Sequence, residues 1–135
     1  MDRPQITHLN MTDWQGNFAF SQAVSISGPH RRLLLAGVGS EGAAGTTEAA
    51  GDVAAQCRMA WASILETLAH EGGSYRDIVR VRTYVLDPRS LPDVTATRRE
   101  VFGDGPYPIH TFLVVSALAQ PGMLVEIEVE AALPE

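Results

Sequence analysis

One histidine, His110, stands near the end of the chain at the beginning of a predicted strand, in the stretch GPYPIHTF. An imidazole has an ordinary pKa near 6.5, so it can gain or lose a proton close to neutral pH. It therefore offers acid or base catalysis, or one hydrogen bond to a ligand. A passive polar side chain at a strand edge is the alternative, and the pattern around His110 leaves both interpretations open.

The last predicted strand carries carboxylates at alternate positions, in the run VEIEVE. This alternation has the period of a strand with one apolar and one acidic face, and the acidic positions are Glu126, Glu128 and Glu130. An earlier alternating run presents Arg80 and Arg82 on one face. If the two strands are neighbours, opposite charges meet across them, and each pair contributes about 0.2–1 kcal/mol.

The other reactive or metal-binding side chains do not form a recognisable site. His8, His30 and His70 have no partner at the spacing of metal ligands, so we expect no metal site. The one cysteine, Cys57, falls on the apolar stripe of a predicted helix, which indicates a buried thiol and not a nucleophile. The glycine-rich stretch 37–45 has neither a GxGxxG nor a P-loop pattern, so phosphate binding is not supported.

Length and charge restrict the class of protein. At 135 residues the chain predicts a single domain over 1–135, with an N-terminal extension and first strand in 1–16. Sixteen acidic residues against ten scattered basic ones, a net charge of −6, argue against a nucleic-acid partner. No apolar run approaches the roughly 20 residues that span a bilayer, and no signal peptide is visible. We expect a cytoplasmic protein with no membrane partner and, with one cysteine, no internal disulfide.

The hydrophobic pattern predicts the elements that must position these residues, in the order β-β-β-α-β-α-β-β. The strands are predicted at 4–8, 18–27, 31–38, 78–86, 109–115 and 123–131. One helix begins after Asp52 and ends at Gly72-Gly73, and a second has its apolar stripe at Leu91, Val94, Thr95, Arg98, Val101 and Phe102. The turn signal Gly28-Pro29 predicts that 18–27 and 31–38 form a hairpin.

Two helices of this kind predict a two-layer α+β domain, in which they cover one face of the sheet. The other face mixes aromatic and charged side chains, and this mixture favours an interface between subunits. A solvated face is the alternative.

Three segments together resemble the RidA/YjgF family of small trimeric proteins. They are FSQAVSIS, the first helix with the following GGSYRDIVRVRTYVLD, and PGMLVEIE, and the similarity extends from about Phe18 to Ala132. The resemblance implies a chorismate-mutase-like fold with a six-stranded mixed sheet and two helices on one face. It also implies a homotrimer with small-molecule clefts between subunits. The best-known members hydrolyse reactive enamines and imines without a metal or an organic cofactor.

The resemblance also indicates which residues would line the cleft. The family arginine that clamps a substrate carboxylate corresponds to His110, which cannot form the bidentate pair. Glu126 matches the family glutamate that helps to position water, so His110 and Glu126 are the predicted catalytic pair. Phe20, Ala36 and Thr95 replace a tyrosine, a serine and an asparagine of the family pocket. The predicted ligand-binding residues are Phe20, Ala36, Thr95, Tyr107 and His110.

The missing arginine indicates an Arg-less subfamily and not a standard 2-aminoacrylate deaminase. We expect an enzyme that hydrolyses or tautomerises an enamine, imine or related reactive metabolite, or else a non-catalytic trimer that binds a small ligand or regulates another process. The retained Glu126 favours the enzyme, and the substitutions at Phe20, Ala36 and His110 favour the binder. A glutamate beside His110 would raise the histidine pKa, so we expect an activity or affinity that falls between about pH 6 and 8.

Overall fold

The computed structural model describes residues 2–135, so Met1 of the expected single domain lies outside the described residues. It contains six strands and two α-helices in the predicted order. The elements are β1 (Gln5–Leu9), β2 (Ala23–Ser27), β3 (Arg31–Leu34), α1 (Val53–His70), β4 (Ile78–Val85), α2 (Leu91–Phe102), β5 (Ile109–Val114) and β6 (Val125–Leu133). Short 3₁₀ turns lie at Trp14–Phe18, Tyr75–Asp77 and Pro88–Ser90.

Helix α1 begins and ends where its sequence signals predict. The Asp52 side chain accepts a hydrogen bond from the Ala55 backbone N–H at 3.0 Å, which satisfies a free donor of the first turn. Gly72, with φ +80°, adopts the left-handed conformation that ends the helix. The buried stripe of α1 packs against α2 and β6. The helices therefore form one layer over the sheet.

The main sheet has four strands in the order β3-β6-β4-β5. Strand β4 runs parallel to β5 and antiparallel to β6, so the sheet is mixed. In the pairing of β4 with β6, Arg80 lies opposite Glu130 and Arg82 opposite Glu128. The predicted meeting of opposite charges is confirmed, and the Arg82 and Glu128 side chains approach to 3.8 Å.

The two faces of this sheet differ, because alternate residues of β4 and β6 are buried. The helix-covered face is apolar and includes Val81, Val85, Val125, Ile127 and Val129. The opposite face, here called the open face, carries the alternating charges. The two-layer α+β architecture is therefore as predicted.

The predicted hairpin between 18–27 and 31–38 is wrong. Strand β2 is shorter, and it pairs with β1 in a separate two-stranded sheet, with Val24 opposite His8. Strand β3 pairs instead with β6, because Leu33 and Leu35 pack on the core beside that long central strand. The expected six-stranded sheet is therefore divided into two and four strands. A bridge between Ser21 and Ile109 links the segment before β2 to β5.

Within residues 2–135, no helix is both long enough and apolar enough to cross a membrane. The same residues contain no group of three or more His, Cys, Asp or Glu side chains arranged to hold a metal ion.

Candidate functional site

His110 is the second residue of β5, and its side chain points toward the helices. In the parallel pairing, it lies opposite Val81, which belongs to the helix-covered face. The His110 Nε2 atom lies 2.9 Å from Thr83 Oγ1 on β4 and 3.2 Å from Arg98 Nη1 on α2. The imidazole is therefore held between a hydroxyl of the sheet and a guanidinium of the helix layer.

Arg98 is a buried cation, since only 1% of its surface is exposed. Its Nε donates to the Ala19 carbonyl at 2.8 Å, and its Nη2 donates to the Phe18 carbonyl at 2.6 Å. Among residues 2–135, no carboxylate forms an ion pair with it. Burial lowers the Arg98 pKa to about 10, so the group is still charged at neutral pH.

The environment of His110 lowers its pKa to about 3, first through burial and then through the positive charge of Arg98. The expectation that a neighbouring glutamate raises this pKa is therefore wrong, because the charged neighbour is an arginine. The imidazole is neutral at physiological pH. The predicted fall of activity or affinity between pH 6 and 8 depended on a raised His110 pKa, so the lowered pKa removes the reason for it.

Glu126 lies on β6 opposite Tyr84, on the open face of the sheet. Its carboxyl group packs over the backbone of Gly37, where a Cβ atom would lie only 2.7 Å from the Glu126 Cδ. Burial raises the Glu126 pKa, and the negative charges of Glu41 and Glu128 raise it further. Glu126 therefore binds a proton more readily than an ordinary glutamate side chain.

The structure does not bring His110 and Glu126 together within one protomer. On β4, which lies between their strands, Val81 stands opposite His110 and Tyr84 stands opposite Glu126. These two β4 positions differ by an odd number of residues, so the two side chains project from opposite faces. No direct proton transfer between them is possible in a single chain.

Phe20 belongs to a cluster of aromatic rings on the chain segment that Arg98 holds. Trp14 packs edge-on against Phe20 at 5.6 Å and against Phe18 at 6.2 Å, measured between ring centroids. Trp14 is nevertheless 54% exposed. We call Trp14, Phe18 and Phe20 the aromatic patch, and it offers an apolar surface close to Arg98.

The other predicted ligand-binding residues have different surroundings. Thr95 is 8% exposed, and its Oγ1 is the one buried side-chain polar atom in residues 2–135 without a hydrogen-bond partner. Tyr107 is buried, and its hydroxyl donates to the Gly103 carbonyl at 2.6 Å. Ala36 is exposed and immediately precedes Gly37, the residue over which the Glu126 carboxyl group packs.

Sequence reasoning did not assign Arg98 or Thr83 to the site. The available signal for Arg98 was a permanent charge on the apolar stripe of α2, since a buried arginine needs partners that a helix alone cannot supply. Thr83 gave no such signal, because a threonine on the buried face of a strand is ordinary.

The sequence model of the family described as Endoribonuclease L-PSP matches residues 15–133. The RutC family protein YjgH of Escherichia coli is 35% identical over 85 residues, which cover 62% of this chain and 63% of that protein. YyfB of Yersinia pestis, a protein of unknown function of the conserved Rid family, has a similar crystal structure. Its TM-score is 0.86 at 32% identity, over 95% of this chain and 98% of YyfB.

A second similar structure is Rv2704 of Mycobacterium tuberculosis, a member of the YjgF/YER057c/UK114 family. It has a TM-score of 0.66 and 32% identity, over 96% of this chain and 100% of Rv2704.

Proposed function

Because the chain belongs to the RidA/YjgF family, we propose that it binds a small reactive metabolite and hydrolyses or tautomerises its enamine or imine bond. The proposed cleft lies between the subunits of a homotrimer. The observation that carries the proposal is Glu126, a carboxyl group with a raised pKa on the open face, seated on a glycine. Such a group is suited to exchange protons with substrate and water.

A cleft between subunits is supported by the apolar edges of the main sheet. Leu34 on the edge strand β3 is 64% exposed, and Leu113 and Val114 on the other edge strand, β5, are also exposed. Exposed apolar edge strands usually pair with or pack on another chain. Association could bring Glu126 of one subunit toward the His110 side of the next, although the two are separated within a protomer.

The proposed hydrolysis needs a base for water and a donor for the substrate. Glu126 takes a proton from a water molecule as the water oxygen bonds to the imine carbon. That proton then passes to the substrate nitrogen, which gives a carbinolamine. Glu126 next takes the proton of the carbinolamine hydroxyl and delivers it to the amine nitrogen, the carbon–nitrogen bond breaks, and a carbonyl compound and ammonia are released. His110 is neutral and acts as a hydrogen-bond donor to the bound molecule, not as a base. No step requires a metal or an organic cofactor.

Thr95 and Phe20 are proposed to contact the ligand, as the sequence predicts. The unpaired Thr95 hydroxyl supports this role, since an unsatisfied buried polar atom costs free energy that a ligand could recover. The exposed aromatic patch supports an apolar wall around Phe20. Ala36 and Tyr107 stay predictions, and Tyr107 already has a protein partner for its hydroxyl.

A non-catalytic binding or regulatory trimer is the second candidate. The low pKa of His110 and its separation from Glu126 favour it, since they remove an acid–base pair from the single chain. With a net charge of −6, an RNA substrate is disfavoured for either candidate, despite the name of the family model. We also propose a cytoplasmic location for both.

The experiment that tests the function generates an imine with an amino-acid oxidase and traps it with semicarbazide. An enzyme reduces the yield of semicarbazone at concentrations far below that of the imine, whereas a binder acts stoichiometrically. We expect Glu126→Gln to lower the rate by roughly 10²–10⁴-fold, the range for loss of an acid–base group. Glu130→Gln, four residues along the same strand, is the matched control and should keep the rate within a few-fold, since Glu130 pairs with Arg32. Stoichiometric protection, or full activity of Glu126→Gln, would overturn the proposed catalysis.

A further inference from the structure

The hydrogen bonds of Arg98 determine more than the position of α2. We propose that Arg98 is a positioning residue that holds His110 as an imidazole with its proton on Nδ1. The Nδ1–H of His110 is then a hydrogen-bond donor to a ligand, and the ligand atom opposite must be an acceptor. The part about the ligand rests on the proposed function, whereas the part about the tautomer does not.

The tautomer follows from the identity of the partner atom. A guanidinium has five N–H donors and no acceptor, so the contact of 3.2 Å between Arg98 Nη1 and His110 Nε2 requires a lone pair on Nε2. In a neutral imidazole the proton then resides on Nδ1. Thr83 Oγ1, 2.9 Å from the same Nε2, can also donate to that lone pair. Both contacts therefore agree with an Nδ1–H ring.

Rotation of the Arg98 guanidinium away from His110 would break its other hydrogen bonds. Its Nε–H and one Nη2–H bind the backbone carbonyls of Ala19 and Phe18, so the guanidinium is also held by the segment before β2. The Ala19 backbone is itself in the left-handed region, with φ 55°, and its side chain is buried. Because the planar guanidinium is bound through Nε, Nη2 and Nη1, its orientation is fixed, and this orientation directs an Nη1–H toward His110 Nε2.

The groups that pack around the ring give it no competing charge. Arg98 is the charged group that faces it from α2, β4 contributes the neutral Thr83, and the segment before β2 contributes the carbonyls that Arg98 binds. Within residues 2–135, no Asp or Glu forms an ion pair with His110. A positive charge on this ring would lie beside the arginine, which disfavours protonation.

The Nδ1 atom is the part of the ring that is free to act. Among the described residues, the hydrogen bonds of the His110 ring involve Nε2 alone, and Nδ1 is not one of the buried unpaired polar atoms. The residue is also partly exposed. Nδ1–H can therefore reach a carbonyl or carboxylate oxygen of a ligand. An ammonium group at that place would put two donors face to face, so it is rejected.

The tautomer can be measured in the resting protein by two-bond ¹H–¹⁵N correlation spectra of a sample with ¹⁵N-labelled histidine. For the wild type we expect a protonated-type Nδ1, an unprotonated-type Nε2, and no titration of His110 between pH 8 and 5. Arg98→Met should give a mixture of tautomers and a ring that titrates nearer to pH 6.5. Thr83→Val should keep the Nδ1–H tautomer, because Arg98 is still present.

Arg99→Met is the matched control, since Arg99 lies on the same helix and ties it to the Gly16 carbonyl at 2.8 Å. It should leave the His110 signals unchanged, so a general loosening of α2 is excluded as the cause. A wild-type ring protonated on Nε2, or one that titrates near pH 6.5, overturns the inference even if Arg98→Met does not fold. The inference is also overturned if the His110 signals of Arg98→Met are the same as those of the wild type.

The ligand part is tested with two small probes in the same spectra. We expect pyruvate, which has only acceptor oxygens, to shift the His110 Nδ1–H signal, and methylammonium to leave it unmoved. Equal shifts of the Nδ1–H signal with both probes, or no shift with pyruvate, would overturn the inference that the ligand atom opposite His110 must be an acceptor. If the NMR results are as expected but the protein does not lower the semicarbazone yield catalytically, the proposed catalysis is rejected and the positioning role of Arg98 is retained.

Discussion

At the scale of single residues, the character of His110 is set by its neighbours and not by its own reference pKa. Removal from water and the charge of Arg98 both favour the neutral ring. We propose that His110, at the position where the family resemblance predicts an arginine, presents a neutral donor to the ligand and not a weaker positive charge.

The shifted pKa of His110 predicts a dependence of stability on pH. Below the unfolded value near 6.5, the unfolded chain gains a proton at this position, whereas the folded chain does so only near pH 3. The free energy of unfolding should therefore fall with decreasing pH, by about 2 kcal/mol at pH 5 from this residue alone. The measurement is urea denaturation of the wild type and His110→Gln at pH 7 and pH 5.

The His110→Gln variant should lose less stability than the wild type between pH 7 and pH 5, because it has no imidazole at position 110. His70→Gln is the control, since His70 is exposed at the end of α1 and should not change the difference. Equal losses for the wild type and His110→Gln would show that the ring is not held neutral.

At the scale of elements, the pairing of β3 and β6 positions the Glu126 carboxyl group. After β3 ends, the chain continues beside β6, and Val38 forms backbone hydrogen bonds with Ile127 in both directions. This contact places the bare backbone of Gly37 under the side chain of Glu126. A glycine is required there because of the close approach and not because of its own backbone angles.

Gly37→Ala should therefore displace the carboxyl group of Glu126 without unfolding the sheet. The new Cβ would lie 2.7 Å from Cδ and 2.8 Å from Oε2, so the side chain must move. We expect the rate in the imine assay to fall at least tenfold, with the free energy of unfolding changed by about 1 kcal/mol at most. Gly16→Ala is the control, because nothing lies within 4 Å of its added Cβ. Unchanged turnover in Gly37→Ala would mean that the position of Glu126 is unimportant.

At the scale of the whole molecule, the open face and both sheet edges are unsuited to a lone protomer. The open face combines the charged pairs of β4 and β6 with exposed Leu34 and Leu113. A further ion pair, between Arg32 of β3 and Glu130 of β6, has an N–O distance of 2.6 Å. A surface that combines apolar and charged side chains in this way suits a contact between copies of the chain.

Charged substitutions on this face should dissociate the proposed trimer. For the wild type we expect a sedimenting species of three chains of 14.5 kDa, and for Leu34→Lys or Leu113→Lys a shift toward the single chain. Each lysine would have to lose its hydration in the interface, and this desolvation free energy exceeds the free energy gained from the contact. Ala69→Lys, on the exposed side of α1, should leave the trimer intact. A wild type that sediments as a monomer at micromolar concentration would reject the cleft between subunits.

Much of the architecture could be read from local patterns. The period of the apolar residues, the cap at Asp52 and the alternation in β4 and β6 determined the order of the elements and the covered face. They also gave β4 and β6 one charged face each, so the arginines and glutamates were expected to meet if the two strands were neighbours. These features depend on residues close together in the chain, so a sequence can encode them directly.

Only the tertiary structure decided which strands pair and what each site residue contacts. The partner of β3 lies about a hundred residues away in β6, and the parity of the β4–β5–β6 register sends His110 and Glu126 to opposite faces. The apolar alternation determines the two faces of β4 and β6, but β5 has apolar residues on both faces, so its local pattern does not show which face carries His110. The approach of Arg98 to His110 has the same origin: the packing of α2 on the sheet joins two residues whose separate sequence contexts predict no contact.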